Sequence, residues 1–294
     1  MENTSKNYVV GLGELLWDVL PTGRKLGGAP ANFAYHASQF GFHSVVVSAI
    51  GEDSLGDETL QRLDEKHLDY VLPRVSFPTG EVLVSLDTAG IPSYNIKEGV
   101  AWDNIPFTAE MKQVASDCAL VCWGTLAQRS MSSRESISRF LEHVPPSCLK
   151  VYDINLRQHY FSKDLIEDNL YRCNILKLNE DELPIVQRML HVEANQPEQV
   201  CRLLMHAYRI SIIVLTFGAQ GSSVYTSKEC SFLPTPKVDV VDTVGAGDSF
   251  TAAFCASLLR GKSIQEAHCR AVDVSAYVCT QNGAMPILPS SFTL

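Results

Sequence analysis

Short apolar runs rich in β-branched residues recur along the chain, and segments with helical spacing separate them. The polar segments GDETLQRLDEKHLD and SRESISRFLEHV repeat their apolar residues at the spacing of an amphipathic helix. Continuous apolar strands separated by helices are typical of a parallel sheet covered on both faces, so the pattern predicts a doubly wound α/β fold. The runs that predict strands are YVVGLG, HSVVVSAIG, CALVCWG, LKVYDIN, NILKLN and ISIIVLTFG.

One stretch departs from this rhythm. Residues 79–99, TGEVLVSLDTAGIPSYNIKEG, alternate apolar and polar positions around a turn at Asp87–Gly90. This alternation predicts an antiparallel hairpin with one exposed face, which is either a decoration or a lid that closes over a ligand. We find no linker, repeat or low-complexity segment in the sequence. The pattern therefore predicts one domain over residues 1–294, with a lid within about residues 75–103 plus part of 14–26.

The segment DTVGAGDSF, residues 242–250, places a carboxylate directly after a glycine turn. The preceding KVDVV predicts a strand, and the apolar spacing from Phe250 onward predicts a helix. A glycine turn at a helix start leaves backbone N–H groups unpaired and adds a partial positive charge. We therefore expect Gly245, Ala246 and Gly247 to form an anion pocket with Asp248 beside it.

Asp248 has two interpretations. A carboxylate beside a bound phosphate is well placed to accept a proton from an attacking hydroxyl, which is what phosphoryl transfer requires. The alternative is an ordinary turn in which Asp248 is the N-cap of the helix.

Composition and charge narrow the classes of function. The chain has 294 residues, 46% of them hydrophobic, and a net charge of −9, which argues against a broad nucleic-acid surface. The nine cysteines include no CxxC pair, so neither a zinc ribbon nor a disulfide framework is expected. No signal peptide and no apolar run long enough for a bilayer are present in the sequence. We therefore expect a cytoplasmic protein with reduced thiols and no membrane partner.

Two other phosphate motifs are incomplete. GLGELL begins like a dinucleotide fingerprint, but Leu16 occupies the third glycine position, which argues against an NAD enzyme. ASLLRGKS approaches a P-loop, but Ala256 replaces its first glycine, and Gly261 is explained more simply as a helix stop.

Several polar clusters follow the predicted strands and so point toward one edge of the sheet, where open α/β sheets bind ligands. Asp18 is suited to accept hydrogen bonds from two adjacent hydroxyls. Asn32, in the first turn of a helix that follows a glycine pair, is suited to a polyol. The other clusters are DINLR (153–157), NEDE (179–182) and TFGAQG (216–221), the last suited to a nucleotide lying on the backbone.

Together, GGAPANFAYHASQFG, GEDSLGD and DTVGAGDSF make the sequence resemble a ribokinase-like carbohydrate kinase of the PfkB family, and the resemblance spans nearly the whole chain. It implies a doubly wound sheet with a small β lid. It also implies ATP and Mg²⁺ as cofactors and transfer of the γ-phosphate to a primary hydroxyl of a sugar.

The resemblance also implies roles for individual residues. Asp248 corresponds to the catalytic base and Glu182 to a residue that organises Mg²⁺ through water. Asp242 and Thr243 correspond to the site of a monovalent cation such as K⁺. The expected sugar contacts are Asp18, Gly28, Asn32 and Trp102, the expected anion hole is Gly245, Ala246 and Gly247, and the expected nucleotide contacts are Asn179, Thr216, Gly218, Gly221 and Asn282.

The segments GGAPAN, GVAWDN, GTLAQRS and DINLR are more similar to the fructokinase branch of the family than to the ribokinase branch. Arg157 has two interpretations, because a guanidinium can steady the transferring phosphate or bind a substrate carboxylate, as in 2-keto-3-deoxygluconate kinases. Fructose is the expected substrate. A sugar acid or another sugar or nucleoside is the alternative, and a non-catalytic sugar-binding relative is the rival class. Expected partners are the sugar and ATP. The apolar VLVSL of the lid either pairs two copies into a homodimer or covers the site of a monomer.

Overall fold

A computed structural model describes residues 7–20, 23–86 and 92–293. The strands are β1 (Tyr8–Leu12), β2 (Leu16–Leu20), β3 (Gly23–Gly27), β4 (Ser44–Val47), β5 (Ile50–Gly51), β6 (Asp69–Val71), β7 (Arg74–Val75), β8 (Gly80–Leu86), β9 (Pro92–Ile96), β10 (Cys118–Gly124), β11 (Leu149–Asp153), β12 (Ile175–Asn179), β13 (Ile212–Thr216), β14 (Ser222–Thr226) and β15 (Cys230–Leu233). The helices are α1 (Ala29–Gln39), α2 (Ser54–Glu65), α3 (Ala109–Ser116), α4 (Met131–His143), α5 (Lys163–Arg172), α6 (Glu182–Met189), α7 (Pro197–Tyr208), α8 (Ala246–Leu259), α9 (Ile264–Cys279) and α10 (Ser290–Thr293). Short 3₁₀ helices cover Ala101–Asn104, Leu126–Arg129 and Gly218–Gln220.

A central sheet organises the fold. Within the described residues it has nine strands in the order β15-β14-β13-β12-β11-β10-β1-β4-β6. All neighbouring pairs are parallel except β13 with β14 and β14 with β15. The carboxyl ends of the parallel strands therefore meet along one edge, where the predicted polar clusters lie.

Both faces of this sheet are covered, and the side chains of β10 show why its sequence is continuously apolar. Val121 and Trp123 join the core beneath α3 to α7, whereas Leu120 and Cys122 join the core beneath α1, α8 and α9. Burial of each large apolar side chain stabilises the fold by roughly 1.5–3 kcal/mol. The predicted α/β fold with helices on both faces is confirmed. No helix in the described part of the chain combines the length and apolarity needed to cross a membrane.

A second, smaller sheet has the order β3-β2-β8-β9 among the described strands. Strands β2 and β3 pair antiparallel, as do β8 and β9, and β2 and β8 pair in parallel. The hairpin predicted within residues 79–99 is confirmed, although its turn at Asp87–Gly90 lies outside the described residues. Its base is anchored by Thr79, whose N–H and hydroxyl donate to the Asp53 carboxylate at 2.8 and 2.7 Å.

Two predicted strands are wrong in detail. HSVVVSAIG forms two short strands, β4 and β5, which belong to different sheets. KVDVV, residues 237–241, forms no strand. Pro234 and Pro236 lack the N–H groups that would extend the ladder from β15, and the segment crosses instead to the end of α9. There the N–H groups of Val241 and Asp242 donate to the Cys279 carbonyl at 2.9 and 3.2 Å.

Candidate active site

Gly245 forms the turn that starts α8. Its φ of 78° lies in the left-handed region, and a Cβ at this position would lie 2.7 Å from the Ala284 carbonyl oxygen. Gly245 is the N-cap, and Asp248 is the third residue of the helix. The alternative interpretation of Asp248 as the helix N-cap is therefore wrong.

The backbone N–H groups at the start of α8 differ in whether they already donate to an acceptor within the protein. The Ala246 N–H donates to the Thr243 carbonyl at 3.2 Å. The N–H groups of Gly247 and Asp248 have no acceptor within the described residues, as expected for the first turn of a helix. The amides of Gly247 and Asp248 are thus available to an anion, whereas the Ala246 amide, which was also expected in the pocket, already has a partner.

Asp248 is held by α1. The Asn32 side-chain amide donates to its Oδ2 at 2.7 Å. The pKa of Asp248 is raised to about 6, mainly by burial and also by the Asp153 carboxylate, while the hydrogen bond from Asn32 opposes the shift. A carboxylate with this pKa is mostly ionised at pH 7 and is a stronger base than an ordinary aspartate.

A buried ion pair lies beside the glycine turn. The Lys177 ammonium is 3.0 Å from both carboxylate oxygens of Asp153, and the two side chains are only 11% and 7% exposed. A Cβ on Gly247 would lie 3.0 Å from the Lys177 Nζ. Burial opposes the charge of Lys177, but the carboxylates of Asp153 and Glu182 outweigh it and raise its pKa.

Lys177 belongs to none of the sequence motifs to which a role was assigned. The sequence does contain a signal for Lys177, which is a lysine inside the apolar strand NILKLN. A lysine is almost never fully buried unless it is paired, so this position predicts a partner of opposite charge.

Glu14 is a second residue that the sequence analysis missed. It follows β1, is 3% exposed, and its pKa is raised to about 7, mainly by burial and further by Asp248. Burial also raises the pKa of Asp18, against the charges of Lys25 and Arg157. The Arg157 charge is close enough to lower the pKa of Glu14, Asp18 and Asp248. Three carboxyl groups thus lie within the electrostatic reach of one exposed guanidinium.

The other two expected sugar contacts that remain to be located are Gly28 and Trp102, and their surroundings differ. Gly28 lies at the start of α1 with a φ of 111°, and a Cβ there would lie 2.4 Å from the Glu14 carbonyl oxygen. The backbone of this turn therefore approaches the end of β1 closely. Trp102 is only 1% exposed, and a Cβ on Gly80 would lie 2.4 Å from its ring. Its ring is covered by the base of the lid, so the structure gives Trp102 a supporting position rather than a surface for a sugar.

The expected nucleotide residues lie at the ends of β12 and β13 and in the loop after α9. Asn179 and Thr216 are register partners in the sheet. Gly218 and Gly221 follow with positive φ angles of 52° and 137°, and a Cβ on Gly221 would lie 2.4 Å from the Leu233 carbonyl oxygen. Asn282 is exposed in the loop after α9. A bare backbone of this kind fits a flat ligand lying against it.

Glu182 joins two of these loops. Its Oε1 accepts the Leu156 N–H and its Oε2 accepts the Asn179 N–H, both at 2.8 Å. Burial raises its pKa. Asn179 in turn accepts the N–H groups of Asp181 and Glu182 at 2.9 Å. These bonds fix the ends of β11 and β12 relative to each other, and the water-mediated metal role of Glu182 stays a prediction.

Asp242 connects the glycine turn with the loop after α9. Its Oδ1 accepts the Val244 N–H and its Oδ2 accepts the Gly283 N–H, both at 3.0 Å. The Lys25 ammonium, on β3 of the small sheet, lies 3.9 Å from the same Oδ2. Thr243 is exposed. The binding of a monovalent cation by Asp242 and Thr243 stays a prediction.

Comparison with known proteins identifies the family. Residues 9–291 match the model of the pfkB family of carbohydrate kinases. The chain belongs to this family. It is therefore an ATP-dependent carbohydrate kinase, as the resemblance implied.

Individual relatives agree with this assignment at modest identity. The chain is 26% identical to the ATP-dependent 6-phosphofructokinase of Thermoanaerobacterium thermosaccharolyticum, with 98% of this chain and 93% of the relative covered. It is 27% identical to a fructokinase of Rhizobium leguminosarum bv. trifolii, with 93% and 86% covered. Its fold matches the crystal structure of fructokinase from Vibrio cholerae O395 in fructose-, ADP- and calcium-bound form, with a TM-score of 0.79, 22% identity and 98% of each chain covered.

Proposed function

We propose that this PfkB kinase transfers the γ-phosphate of ATP to a primary hydroxyl of fructose. The observation that carries the proposal is the Asp248 carboxylate, held by Asn32 next to the unpaired amides at the start of α8. Two relatives support fructose as the sugar: the 27% identical fructokinase, and the fructokinase whose structure contains fructose.

The nucleotide residues fit ATP. The amides of Gly247 and Asp248 would hold phosphate oxygens, and the bare backbone at Gly218 and Gly221 would lie against the rest of the nucleotide. A Cβ at Gly221 would enter the space of Leu233, so this backbone is kept free of side chains. When bound, ATP supplies the phosphoryl group and Mg²⁺ neutralises charge on its phosphates. We propose that Glu182 orders the water around that metal.

Asp248 then performs the proton transfer. A sugar hydroxyl is a weak acid, so it needs an acceptor for its proton as the new bond to phosphorus forms. The raised pKa of Asp248 brings its basicity closer to neutral pH than that of an ordinary aspartate. The Asn32 amide fixes the orientation of the carboxylate, which places the acceptor beside the anion site.

The sugar is expected on the side of Glu14, Asp18 and Asn32, under the small sheet. The carboxylate of Asp18 and the amide of Asn32 offer hydrogen bonds to neighbouring hydroxyls. Arg157 is exposed, within electrostatic reach of Asp248, and would steady charge on the transferring group. The lid would exclude water from the phosphate during transfer.

A sugar acid such as 2-keto-3-deoxygluconate is the second candidate, because the exposed Arg157 guanidinium is a natural partner for a carboxylate. The Arg157 charge already interacts with the carboxyl groups of Glu14 and Asp18, which leaves less of it for a substrate carboxylate, so we rank fructose first.

The test is an ATP-consumption assay of the purified protein with fructose, 2-keto-3-deoxygluconate, fructose 6-phosphate, ribose, tagatose and adenosine. The highest kcat/KM with fructose supports the proposal, and a preference for the sugar acid overturns it. Arg157→Ala is expected to lower kcat for fructose more than it raises KM. A rise in KM alone would assign Arg157 to binding.

Two accompanying proposals concern the cation and the assembly. We propose that Asp242 and Thr243 hold K⁺ beside the anion site, so activity should fall when tetramethylammonium replaces potassium.

We also propose that two lids pair in a homodimer. Leu83, on the lid strand β8, is 38% exposed. If the lids pair, light scattering should give the parent protein the mass of a dimer, and Leu83→Lys should lower that mass. A monomeric mass for the parent protein would mean that the lid only covers the site.

A further inference from the structure

A buried ion pair lies between the end of the lid and the sheet. Arg129 ends the short helix after β10, and Asp103 lies in the turn after the lid hairpin. The Arg129 Nε donates to Asp103 Oδ1 at 2.8 Å and its Nη2 donates to Oδ2 at 2.9 Å. Both side chains are 6% exposed. The two-point contact fixes the plane of the guanidinium.

Two aromatic rings hold the same guanidinium. Its central carbon lies 4.0 Å from the centroid of the Trp102 ring and 4.6 Å from that of Tyr160. Both distances are within the range of a cation–π contact. Arg129 is therefore fixed at its edge by Asp103 and at its faces by aromatic side chains, which explains why Trp102 is buried here.

This cluster also holds the residues through which the chain leaves the lid. The Arg129 Nη2 donates to the Lys97 carbonyl as well. Asp103 Oδ2 accepts the N–H groups of Gly99 and Val100 at 2.9 and 3.2 Å. Residues 97–100 follow β9 directly, so the ion pair sets where the second strand of the lid ends.

Tyr160 connects the cluster to the loop that carries Arg157. Its hydroxyl donates to Glu98 Oε1 at 2.7 Å. Its backbone N–H donates to the Arg157 carbonyl at 3.1 Å, so the two residues belong to one turn. A shift of the lid end would therefore act on this turn through Tyr160, and a shift of the turn would act on the lid.

We propose that Arg129 is a positioning residue, and that the cluster of Arg129, Asp103, Trp102, Tyr160 and Glu98 couples the end of the lid to the Arg157 loop. Among the described residues, the side chains of this cluster form no hydrogen bond or ion pair with Asp248 or with the amides of the anion site. It acts by keeping the lid and the Arg157 guanidinium in one arrangement. This inference rests on the proposed function, in which the lid covers the sugar and Arg157 steadies the phosphate.

The first test needs no substrate. Tyr160→Phe keeps the ring on Arg129 and removes only the bond to Glu98. Tyr208→Phe is a matched control, because its hydroxyl donates to Glu167 at 2.9 Å between α7 and α5, away from the site. Hydrogen exchange should become faster at residues 97–100 and 157–160 in Tyr160→Phe and should be unchanged there in Tyr208→Phe. Unchanged exchange in Tyr160→Phe overturns the coupling, whichever sugar the enzyme uses.

The second test measures kinetics with the best substrate. Loss of one hydrogen bond should raise the sugar KM about two- to tenfold and leave the ATP KM unchanged. Hydrolysis of ATP without sugar should increase, which a general loss of stability would not produce. In an Arg157→Ala background, Tyr160→Phe should have little further effect on the sugar KM, because the residue acts through Arg157.

Arg129→Lys provides the third comparison, since it keeps a cation for Asp103 but loses the second hydrogen bond and the flat contact with the rings. It should exceed Tyr160→Phe in its effect on sugar KM while its ATP KM stays that of the parent. An equal rise in both KM values, or an effect of Tyr160→Phe that persists in full without Arg157, overturns the proposal.

Discussion

The Asn32 amide donates to the Asp248 carboxylate at 2.7 Å across 216 positions of sequence. The contact exists because α1 and α8 pack side by side on one face of the sheet, in a core that contains Phe33 and Phe254. It joins a residue expected to bind the sugar to the residue expected to remove its proton. In the proposed function, this bond would hold the sugar and the base in a fixed relative position.

Asp248→Asn is the direct test of the base. The variant keeps the size and the hydrogen bond from Asn32 but cannot accept a proton, so kcat should fall about 10²- to 10⁴-fold. Calorimetry should show ATP and sugar binding close to that of the parent protein. Near-normal turnover in a coupled assay would show that Asp248 is not the base, and a loss of ATP binding would make its role structural.

Asn32→Ala tests the hydrogen bond through pH dependence. The bond favours the ionised carboxylate, so its loss should raise the pKa of Asp248 above its value of about 6. The acidic limb of the kcat/KM profile should therefore move to higher pH. Gln39→Ala is the control, because Gln39 lies on the same helix but bonds Pro286 and Leu288. An acidic limb that stays in place in Asn32→Ala would separate Asn32 from the base.

Stability should depend on pH through the same carboxyl group. Its pKa rises from 3.8 to about 6 on folding, so the folded state favours the protonated form. The stability it contributes is present below pH 4 and is lost as the pH rises through 6. Asp248→Asn should therefore be more stable than the parent at pH 8, by on the order of 1–3 kcal/mol, and equal to it near pH 4. Urea unfolding at both pH values measures this, and a difference independent of pH would contradict it.

Gly245→Ala tests the turn at the anion site. Gly245 and Gly261 have similar φ angles of 78° and 74°, but only at Gly245 would a Cβ meet neighbouring atoms, at 2.7 Å from Ala284. Gly261→Ala should cost only the backbone strain, about 1–2 kcal/mol, and leave kcat unchanged. Gly245→Ala should be less stable and should also lower kcat, because the turn must shift. Equal effects of the two substitutions in thermal unfolding and turnover would contradict this.

Lys177→Met tests the buried ion pair. It leaves the Asp153 carboxylate buried without its partner, so the free energy of unfolding should fall by about 3–5 kcal/mol. The double variant Lys177→Met/Asp153→Leu should recover much of this loss. Lys112→Met, at an exposed position on α3, is the control and should leave stability unchanged. A loss no greater than that of the control would show that the pair is not required for folding.

The sequence by itself determined the class of fold and most of the chemistry. Strands such as CALVCWG are apolar at every position because helices cover both faces, and that pattern needs no tertiary information. The glycines of DTVGAGDSF and the carboxylate after them also predicted a helix start with a nearby acid. Local rules sufficed because backbone conformation and side-chain alternation are properties of adjacent residues.

Only the tertiary structure decided which distant groups meet. The sequence gives no distance between Asn32 and Asp248 or between Lys177 and Asp153, since these contacts depend on how helices and strands pack. Packing also buried Trp102 beneath the lid and raised the pKa of Glu14. KVDVV alternates like a strand but pairs with no strand in the described part of the chain, and a strand exists only where another strand supplies its hydrogen bonds.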